Sequence, residues 1–403
     1  MLTKLTIQSF KSLEFVEVPL GSVNVFVGAN GSGKTNLLEA LGLLSAAASG
    51  VVDDQALTRR GVRISSLPAV YTTSLRAVPA PPPVKIVAEL TYDDGTVIDG
   101  IWAQEELRSR QGEPEFWAGE RTWAEQDGTV RWKTQHLVGA SPEPSAVSEE
   151  PESYALAPTP SRVREASALL SDFGIFAPVT SVLRATAPDL TQRSPVGLAG
   201  GQLALAVRDL LSRNRKRFGA MELDEVLELL DWVDKMSVVE GTRSLVPPGV
   251  PMTRDIIRFT DRWMAEPRNQ LSAYDASEGA LYVLFALVLA LHPKSPRLFA
   301  IENLDQNMHP RLARATMRLF CQQILKSKVQ RQALLTTHNP LVLDGLDLRD
   351  DRIRLFTVER DARGATRVYR VPVTPEMLDA VERGLPLSNL WVMGRLGGVP
   401  DLF

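Results

Sequence analysis

The sequence has few of the features that mark a secreted or membrane protein. It contains one cysteine, Cys321, in 403 residues, so no disulfide can form within the chain. Residues 1–6 lack the apolar core of a signal peptide. The most apolar run, residues 280–291, is shorter than the roughly 20 residues needed to cross a bilayer, and reads as a buried helix. We therefore expect a cytoplasmic protein without a membrane span.

The sequence also lacks a strong charge of either sign. Its net charge of −3 gives no global attraction to nucleic acid, and 44% hydrophobic with 23% charged residues is ordinary globular composition. Local basic clusters occur at residues 213–217, at 59–60 and around Arg352 and Arg354. DNA is therefore a candidate ligand through phosphate contacts, with an affinity that falls steeply with salt.

The most informative motif is present at residues 28–35. It reads G-A-N-G-S-G-K-T, the G-x-x-x-x-G-K-[ST] pattern of a phosphate-binding loop, between a β-rich run at 23–27 and a helical pattern from residue 36. Glycines let the backbone approach phosphate oxygens, Lys34 would reach the β- and γ-phosphates, and Thr35 would supply a hydroxyl to Mg²⁺. The predicted nucleotide-binding residues here are Asn30, Gly31, Ser32, Gly33, Lys34, Thr35 and Asn36.

Three segments of the C-terminal third follow in a characteristic order. Residues 275–280 begin a helix, residues 297–303 form an apolar strand that ends in an acid, and residues 334–340 form a second strand that ends in His338. In these three segments, and also in residues 7–13, the phosphate-binding loop and Met308-His309-Pro310, this chain resembles the cassette-type ATPases of the RecF, SMC and overcoming-lysogenization-defect group. The resemblance covers both ends of the chain but little of residues 84–270.

The resemblance implies an α/β fold. The implied fold is that of a P-loop NTPase of the ABC-ATPase head type, with a mixed sheet flanked by helices, an antiparallel β subdomain and an inserted helical lobe. We divide the chain accordingly into the N-terminal part of the head (1–78), the antiparallel subdomain (79–140), a flexible loop (141–160), the helical lobe (161–270) and the C-terminal part of the head with its tail (271–403).

The resemblance also implies a shared nucleotide site. In this group two heads pack head to tail, so that the signature segment of one subunit touches the γ-phosphate held by the other. The chain would then form a homodimer or higher oligomer, in which Ser277, Glu278 and Gly279 act in trans. Residues 198–202 look more like the transporter signature, but they lie about a hundred residues before the acidic strand, so we interpret them as a loop before a helix near Leu203. Gln192 and Gln202 stay candidates for approach to the metal.

The acidic strand departs from the pattern of the group. Cassette ATPases end it with two acids, one for Mg²⁺ and one that polarises the attacking water. Here the pair is Glu302 and Asn303, and the Asn303 amide has no useful proton affinity. Hydrolysis is therefore expected to be slow, with Asp305 or Glu302 as substitute base, or with Asn303 orienting the water. His338 matches the switch histidine that reaches the γ-phosphate.

These observations predict an ATPase that uses ATP and Mg²⁺. By resemblance it acts as a sensor, regulator or scaffold for a separate effector, a nuclease-like protein, in phage defence or DNA repair. Only about 65 residues follow His338, too few for a fused nuclease domain. The alternatives are a scaffold that clamps nucleotide without hydrolysing it and, least favoured, a transporter ATPase subunit. The apolar residues 387–403 either pack on the chain's own core or dock a partner.

Overall fold

The computed structural model describes residues 1–50, 52–63, 84–93, 95, 97–108, 116–125, 130–138, 161–211, 216–243 and 245–398. The loop predicted at 141–160, the proline cluster at 79–83 and the first residues of the basic cluster at 213–217 lie outside these ranges.

Strands and helices alternate along the described chain. The strands are β1 (Leu2–Phe10), β2 (Leu13–Pro19), β3 (Val23–Val27), β4 (Lys85–Thr91), β5 (Val97–Arg108), β6 (Phe116–Glu125), β7 (Val130–Val138), β8 (Ile175–Phe176), β9 (Arg217–Phe218), β10 (Met221–Glu222), β11 (Val233–Glu240), β12 (Asp255–Asp261), β13 (Gln270–Ser272), β14 (Leu298–Ile301), β15 (Gln332–Thr337), β16 (Ile353–Arg360) and β17 (Thr366–Arg370). The helices are α1 (Lys34–Ala48), α2 (Asp54–Thr58), α3 (Ser161–Ser171), α4 (Thr180–Leu183), α5 (Leu203–Leu210), α6 (Leu223–Leu229), α7 (Glu278–Leu291), α8 (Pro310–Lys326), α9 (Pro375–Glu382) and α10 (Leu387–Val392), with a 3₁₀ helix at Pro340–Gly345.

A six-stranded mixed sheet forms the centre of the fold. Its order is β17-β16-β3-β15-β14-β8, and every neighbouring pair is parallel except β16 with β17. All residues of β3, β14 and β15 are buried, as expected of parallel strands covered on both faces. The carboxyl ends of the parallel strands therefore meet along one edge, where open α/β sheets bind their ligands. This confirms the predicted mixed sheet flanked by helices.

Helix α7 explains the most apolar run of the sequence. Of its 14 residues, only the first and last are not buried, so it is a core helix, as its sequence predicts. No helix of the described residues has both the length and the apolarity to span a membrane.

The second sheet corrects the predicted division at residue 79. It has six antiparallel strands in the order β2-β1-β4-β5-β6-β7, so the strands of the antiparallel subdomain predicted at 79–140 continue the N-terminal hairpin of β1 and β2. Strand β4 alternates between buried and more exposed residues, and pairs with β1 from Ile7↔Ile86 to Leu2↔Leu90. Edge pairing across more than 75 positions leaves no signal in the local pattern, so the sequence suggested a separate subdomain.

The helical lobe predicted for residues 161–270 contains strands as well as helices. The segment holds short helices together with an antiparallel sheet, β11-β12-β13. Residues 221–236, for example, divide into β10, α6 and the start of β11. Short apolar segments fit helix and strand periods equally well, and here pairing with β12 decides for strand.

The C-terminal segment packs on the chain's own core. It follows the antiparallel pair β16–β17 and helix α9. Trp391 is buried and Leu396 packs against the same core cluster, while the Ser388 hydroxyl donates to Asp344 Oδ2 at 2.7 Å. Own-core packing is thus confirmed for Trp391 and Leu396, and Phe403 lies outside the described residues.

Candidate functional site

The phosphate-binding loop joins β3 to α1 at the carboxyl edge of the central sheet. Gly31 and Gly33 have φ angles of 76° and 107°, the left-handed region that favours glycine. A Cβ at Gly33 would lie 2.1 Å from Thr366 Oγ1, so a side chain is also excluded by space. Helix α1 begins at Lys34, and the unpaired N–H groups of its first turn face the loop. The local geometry is therefore that of an anion-binding turn.

Lys34 lies inside this loop. Its ammonium donates to the carbonyls of Gly28 at 2.8 Å and Ala29 at 2.9 Å, and the residue is only 8% exposed. Burial lowers the pKa of Lys34, while the nearby carboxylates of Glu302 and Asp305 oppose that shift. A buried ammonium at the start of a helix is a strong attractor for phosphate oxygens.

Glu302 follows β14 and comes to the loop from the other end of the chain. Thr35 Oγ1 donates a hydrogen bond to Glu302 Oε1, across 267 positions of sequence. The parallel register of β14 with β15, which aligns Ile301 with Leu335, also brings the Asn303 N–H to within 3.1 Å of Thr336 Oγ1. Asn303 has a φ angle of 52°, a conformation that asparagine tolerates better than most residues.

Asp305 is the buried carboxyl of the site. It is 5% exposed, and its Oδ1 atom has no hydrogen-bond partner among the described residues. Burial raises the pKa of Asp305, whereas hydrogen bonding from Thr337 and Asn339 and the charge of nearby His338 act in the opposite direction. His338 itself is exposed directly after β15. The structure therefore brings Lys34, Thr35, Glu302, Asn303, Asp305 and His338 to one edge of the sheet.

The predicted signature segment, residues 277–279, lies at the start of α7. Ser277 is the exposed N-cap residue, and its hydroxyl accepts a hydrogen bond from Trp232 Nε1 at 3.2 Å. A guanidinium nitrogen of Arg184 lies 3.7 Å from Glu278 Oε1 and also donates to the Ala276 carbonyl at 3.3 Å. Among the described residues, no hydrogen bond or ion pair joins residues 277–279 to the phosphate-binding loop.

Two side chains that the sequence did not single out hold the loop from outside. Thr366, on β17, donates to the Ser32 carbonyl at 2.8 Å and shares a 2.7 Å hydrogen bond with Ser12. The Arg360 guanidinium donates to the Gly31 carbonyl at 2.9 Å. Asn36 joins the same network, because its amide donates to Ser12 Oγ at 2.8 Å. Asn36 therefore contacts the network that supports the loop, and no local motif marks Thr366 or Arg360.

We expect Thr366→Val to weaken both the fold and nucleotide binding. The variant keeps the shape but removes a buried hydroxyl with two hydrogen-bond partners, which should cost about 1–2 kcal/mol of unfolding free energy. Urea denaturation and an ATP-binding titration measure the two effects. Thr316→Val is the matched control, since the buried Thr316 hydroxyl has no partner among the described residues and its loss should be neutral or stabilising. Equal losses in both variants would contradict a role for Thr366 in the loop.

The glutamines and the look-alike signature lie apart from the site. Residues 198–202 form a loop before α5, which begins at Leu203 as predicted. Gln202 lines a cavity between α4, α5 and the β11–β13 sheet. Gln192 lines a different groove, beside α2. No hydrogen bond in the described structure joins either side chain to Glu302.

The basic hairpin around Arg352 and Arg354 is paired with acids. Arg352 lies 2.6 Å from Asp350, and both Arg354 and Arg370 pair with Asp351. These ion pairs neutralise the hairpin locally, so phosphate contacts there would compete with carboxylates. The structure therefore weakens this hairpin as a DNA candidate.

The fold and the site define a P-loop ATPase of the RecF/SMC type. A model of the family described as "AAA domain, putative AbiEii toxin, Type IV TA system" matches residues 23–176 and 265–344, more than half of the chain. This chain belongs to that family.

Curated relatives support the same class through short matches. The "DNA replication and repair protein RecF" of Leifsonia xyli subsp. xyli is 45% identical over 65 residues, which are 16% of this chain and 17% of the relative. The protein of the same name from Streptomyces avermitilis is 49% identical over 61 residues, 15% of this chain and 16% of the relative. The chain thus matches about a sixth of the length of these relatives.

Solved structures show likeness over nearly the whole chain. The SmcHead bound to the C-winged helix domain of ScpA superposes with a TM-score of 0.50 at 13% identity, covering 94% of this chain and 99% of that one. The SMC head domain from Thermotoga maritima gives a TM-score of 0.45 at 14% identity, covering 92% and 99%. At such identity the first likeness supports the fold alone.

Proposed function

We propose that this chain binds ATP with Mg²⁺, closes head to tail with a second copy around the nucleotide, and hydrolyses it slowly. The observation that carries the proposal is the contact between Thr35 and Glu302 beside the buried Lys34. These three groups come from opposite ends of the chain and converge only in the folded molecule. Their chemistry suits a nucleoside triphosphate and its metal.

The donor set at this position fits Mg²⁺. The Thr35 hydroxyl and the Glu302 carboxylate are hard oxygen ligands of the kind that hold Mg²⁺ together with substrate phosphates and water. When bound there, the ion supplies neutralisation of phosphate charge. The backbone N–H groups of the loop and Lys34 would hold the phosphate oxygens, and Asp305 and His338 lie at the same edge of the sheet.

Slow hydrolysis follows from the side chain after Glu302. The Asn303 amide can orient a water by hydrogen bonds but cannot accept its proton. Asp305 is the candidate base, because its Oδ1 is unpartnered in the described structure and its raised pKa makes it a better proton acceptor than an ordinary aspartate. His338, exposed at the end of β15, is the candidate contact to the γ-phosphate.

The dimer accounts for the signature segment. Ser277 is exposed and caps the start of α7, and residues 277–279 make no hydrogen bond or ion pair with their own loop among the described residues, so the Ser277 hydroxyl is available to a phosphate held by another subunit. Gly279 lies close to α8, because a Cβ at position 279 would lie 3.0 Å from a methyl carbon of Leu312. Helix α7 can therefore pack closely against its neighbours.

ATP-dependent dimerisation tests this proposal. We expect the mass measured by light scattering to double from 44.3 kDa when ATP and Mg²⁺ are added. Ser277→Arg should keep the protein monomeric without changing ATP binding to the monomer, since its long charged side chain blocks the approach of the partner. Ser161→Arg, at an exposed helix start elsewhere, is the matched control and should still dimerise. A mass that ATP does not change, or that Ser277→Arg does not affect, would refute the head-to-tail arrangement.

We further propose that the ATP-bound dimer acts in the cytoplasm as sensor, regulator or scaffold for a separate, nuclease-like effector. The family and the relatives that this chain matches support a role in phage defence or DNA repair. The family is described as a putative toxin of a type IV toxin–antitoxin system, and the matched relatives are DNA replication and repair proteins. The SmcHead bound to a domain of ScpA shows a head of this fold with a protein partner.

A second candidate is a scaffold that clamps ATP without turning it over. The observation that favours it is Asn303 in place of a second acid. Steady-state phosphate release, measured with the effector present, separates the two. Sustained release that Lys34→Ala abolishes supports the ATPase, whereas tight binding without release supports the scaffold.

A further inference from the structure

The signature serine is held by a side chain from the β11–β13 insert. Trp232, which immediately precedes β11, donates its indole N–H to Ser277 Oγ at 3.2 Å. Its ring packs against fully buried Phe259, with ring centroids 5.5 Å apart, and its carbonyl accepts from the Arg262 N–H at 3.0 Å. Trp232 is therefore held in place by ring packing of its side chain and by a hydrogen bond of its backbone.

The direction of this hydrogen bond sets the direction of the next one. A serine hydroxyl has one proton to donate and two lone pairs, whereas an indole N–H is only a donor. Because Trp232 occupies a lone pair of Ser277 Oγ, the hydroxyl proton must point elsewhere. Ser277 is exposed, so the proton is free to reach an acceptor arriving from outside the subunit, such as a phosphate oxygen.

The insert and the signature are also continuous in the chain. Strand β13 ends at Ser272, whose hydroxyl donates to Asp275 Oδ2 at 3.0 Å and whose carbonyl accepts from the Ala276 N–H at 3.0 Å. The position of Ser277 is therefore fixed from β13 by this turn and from β11 by Trp232. Trp232 lies in the stretch 177–264, which the family model does not match.

We propose that Trp232 is a positioning residue that acts through Ser277 on the nucleotide bound by the other subunit. The inference rests on the proposed head-to-tail dimer and adds to it the residue that presents the signature hydroxyl. It connects the β11–β13 insert, through Ser277, to the phosphate of the partner's ATP.

Single and double variants give the first readout. Trp232→Phe keeps the ring against Phe259 but removes the N–H donor, and should lower turnover about 3- to 10-fold, the worth of one neutral hydrogen bond. ATP binding to the monomer should stay unchanged. In a Ser277→Ala background the same change should cost nothing more. Trp391→Phe is the matched control, because that buried indole N–H has no partner among the described residues.

Mixed dimers decide whether Trp232 acts in trans. A Lys34→Ala chain has a damaged loop but an intact signature, so in excess it should restore turnover to a Ser277→Ala chain by forming one complete site. We expect it to restore a Trp232→Phe chain equally well. Mixing Trp232→Phe with Ser277→Ala should restore nothing, since both signatures are then defective.

The outcomes separate the two proposals. Rescue of Ser277→Ala but not of Trp232→Phe would show that Trp232 acts within its own subunit, and would overturn this inference alone. If neither variant is rescued, although thermal denaturation shows that both are folded, the head-to-tail dimer is overturned and this inference with it. An additive loss in the Trp232→Phe/Ser277→Ala double variant would likewise contradict action through Ser277.

Discussion

Lys34→Ala should reduce ATP affinity by about 100-fold and abolish turnover. The Lys34 ammonium is nearly buried within a turn of backbone N–H groups, where a charge-assisted hydrogen bond to phosphate is worth about 2–3 kcal/mol. Its removal also leaves the Gly28 and Ala29 carbonyls without their donor. Isothermal titration with ATP and Mg²⁺ measures the affinity.

The control for this experiment is Lys328→Ala, which removes an exposed lysine after α8. It should bind ATP as the unmodified protein does. An alanine at position 34 relieves the burial of an ammonium but also removes its two hydrogen bonds to the loop carbonyls. These two effects oppose each other, so urea denaturation should show a midpoint close to that of the unmodified protein. Retained ATP affinity in Lys34→Ala would refute nucleotide binding at this loop.

Asn303→Glu should raise turnover by about 10- to 100-fold. General-base catalysis contributes about 10²- to 10⁴-fold when a carboxylate is well placed, and part of that gain is lost to backbone strain. Asn303 has a φ of 52°, where glutamate is disfavoured by about 1 kcal/mol. Phosphate release at saturating ATP is the measurement. The control is Asn303→Gln, whose side chain has the same length as glutamate and the same backbone strain but no carboxylate, so it should give no gain. Equal rates in the two variants would show that the missing acid does not limit turnover.

Asp305→Asn is the companion variant, and it should lose the residual turnover while gaining stability. Burial raises the pKa of Asp305, so the folded state binds its proton more tightly than the unfolded chain does. That stabilising contribution is complete below the unfolded pKa near 3.9 and is lost as the pH rises through the raised folded pKa. The variant should therefore have a higher urea midpoint than the unmodified protein at pH 7 and the same midpoint below about pH 4. Unchanged turnover in Asp305→Asn would exclude this carboxyl as the base.

Local signals of the sequence identified the parts of the site that are continuous in the chain. The loop at 28–35 carries its glycines, lysine and threonine in eight consecutive residues, and the structure shows the expected turn between β3 and α1. Glu302 and His338 were predicted from the resemblance, which rests on the order of the motifs and on the position of each residue directly after a short apolar strand. Parallel strands then bring those ends to one edge.

The parts that the sequence missed depend on contacts between distant segments. Thr366 reaches the loop from 334 positions away, and Trp232 reaches Ser277 from 45 positions away across an insert that was read as helical. Strand β1 pairs with β4 across a segment of changed composition, which the sequence presented as a boundary. The local pattern of apolar residues does not predict which sheet edge a strand will pair with.

The sequence by itself determined the class of this protein and the chemistry of its loop, because those depend on residue types at fixed local spacing. Only the tertiary structure decided what supports that loop, where the buried Asp305 carboxyl lies, and which side chain orients the signature hydroxyl. These arrangements arise from burial and pairing between segments that are separate in the chain, by 45 residues for Trp232 and Ser277 and by 334 for Thr366 and Ser32. Their hydrogen bonds exist only in the folded molecule.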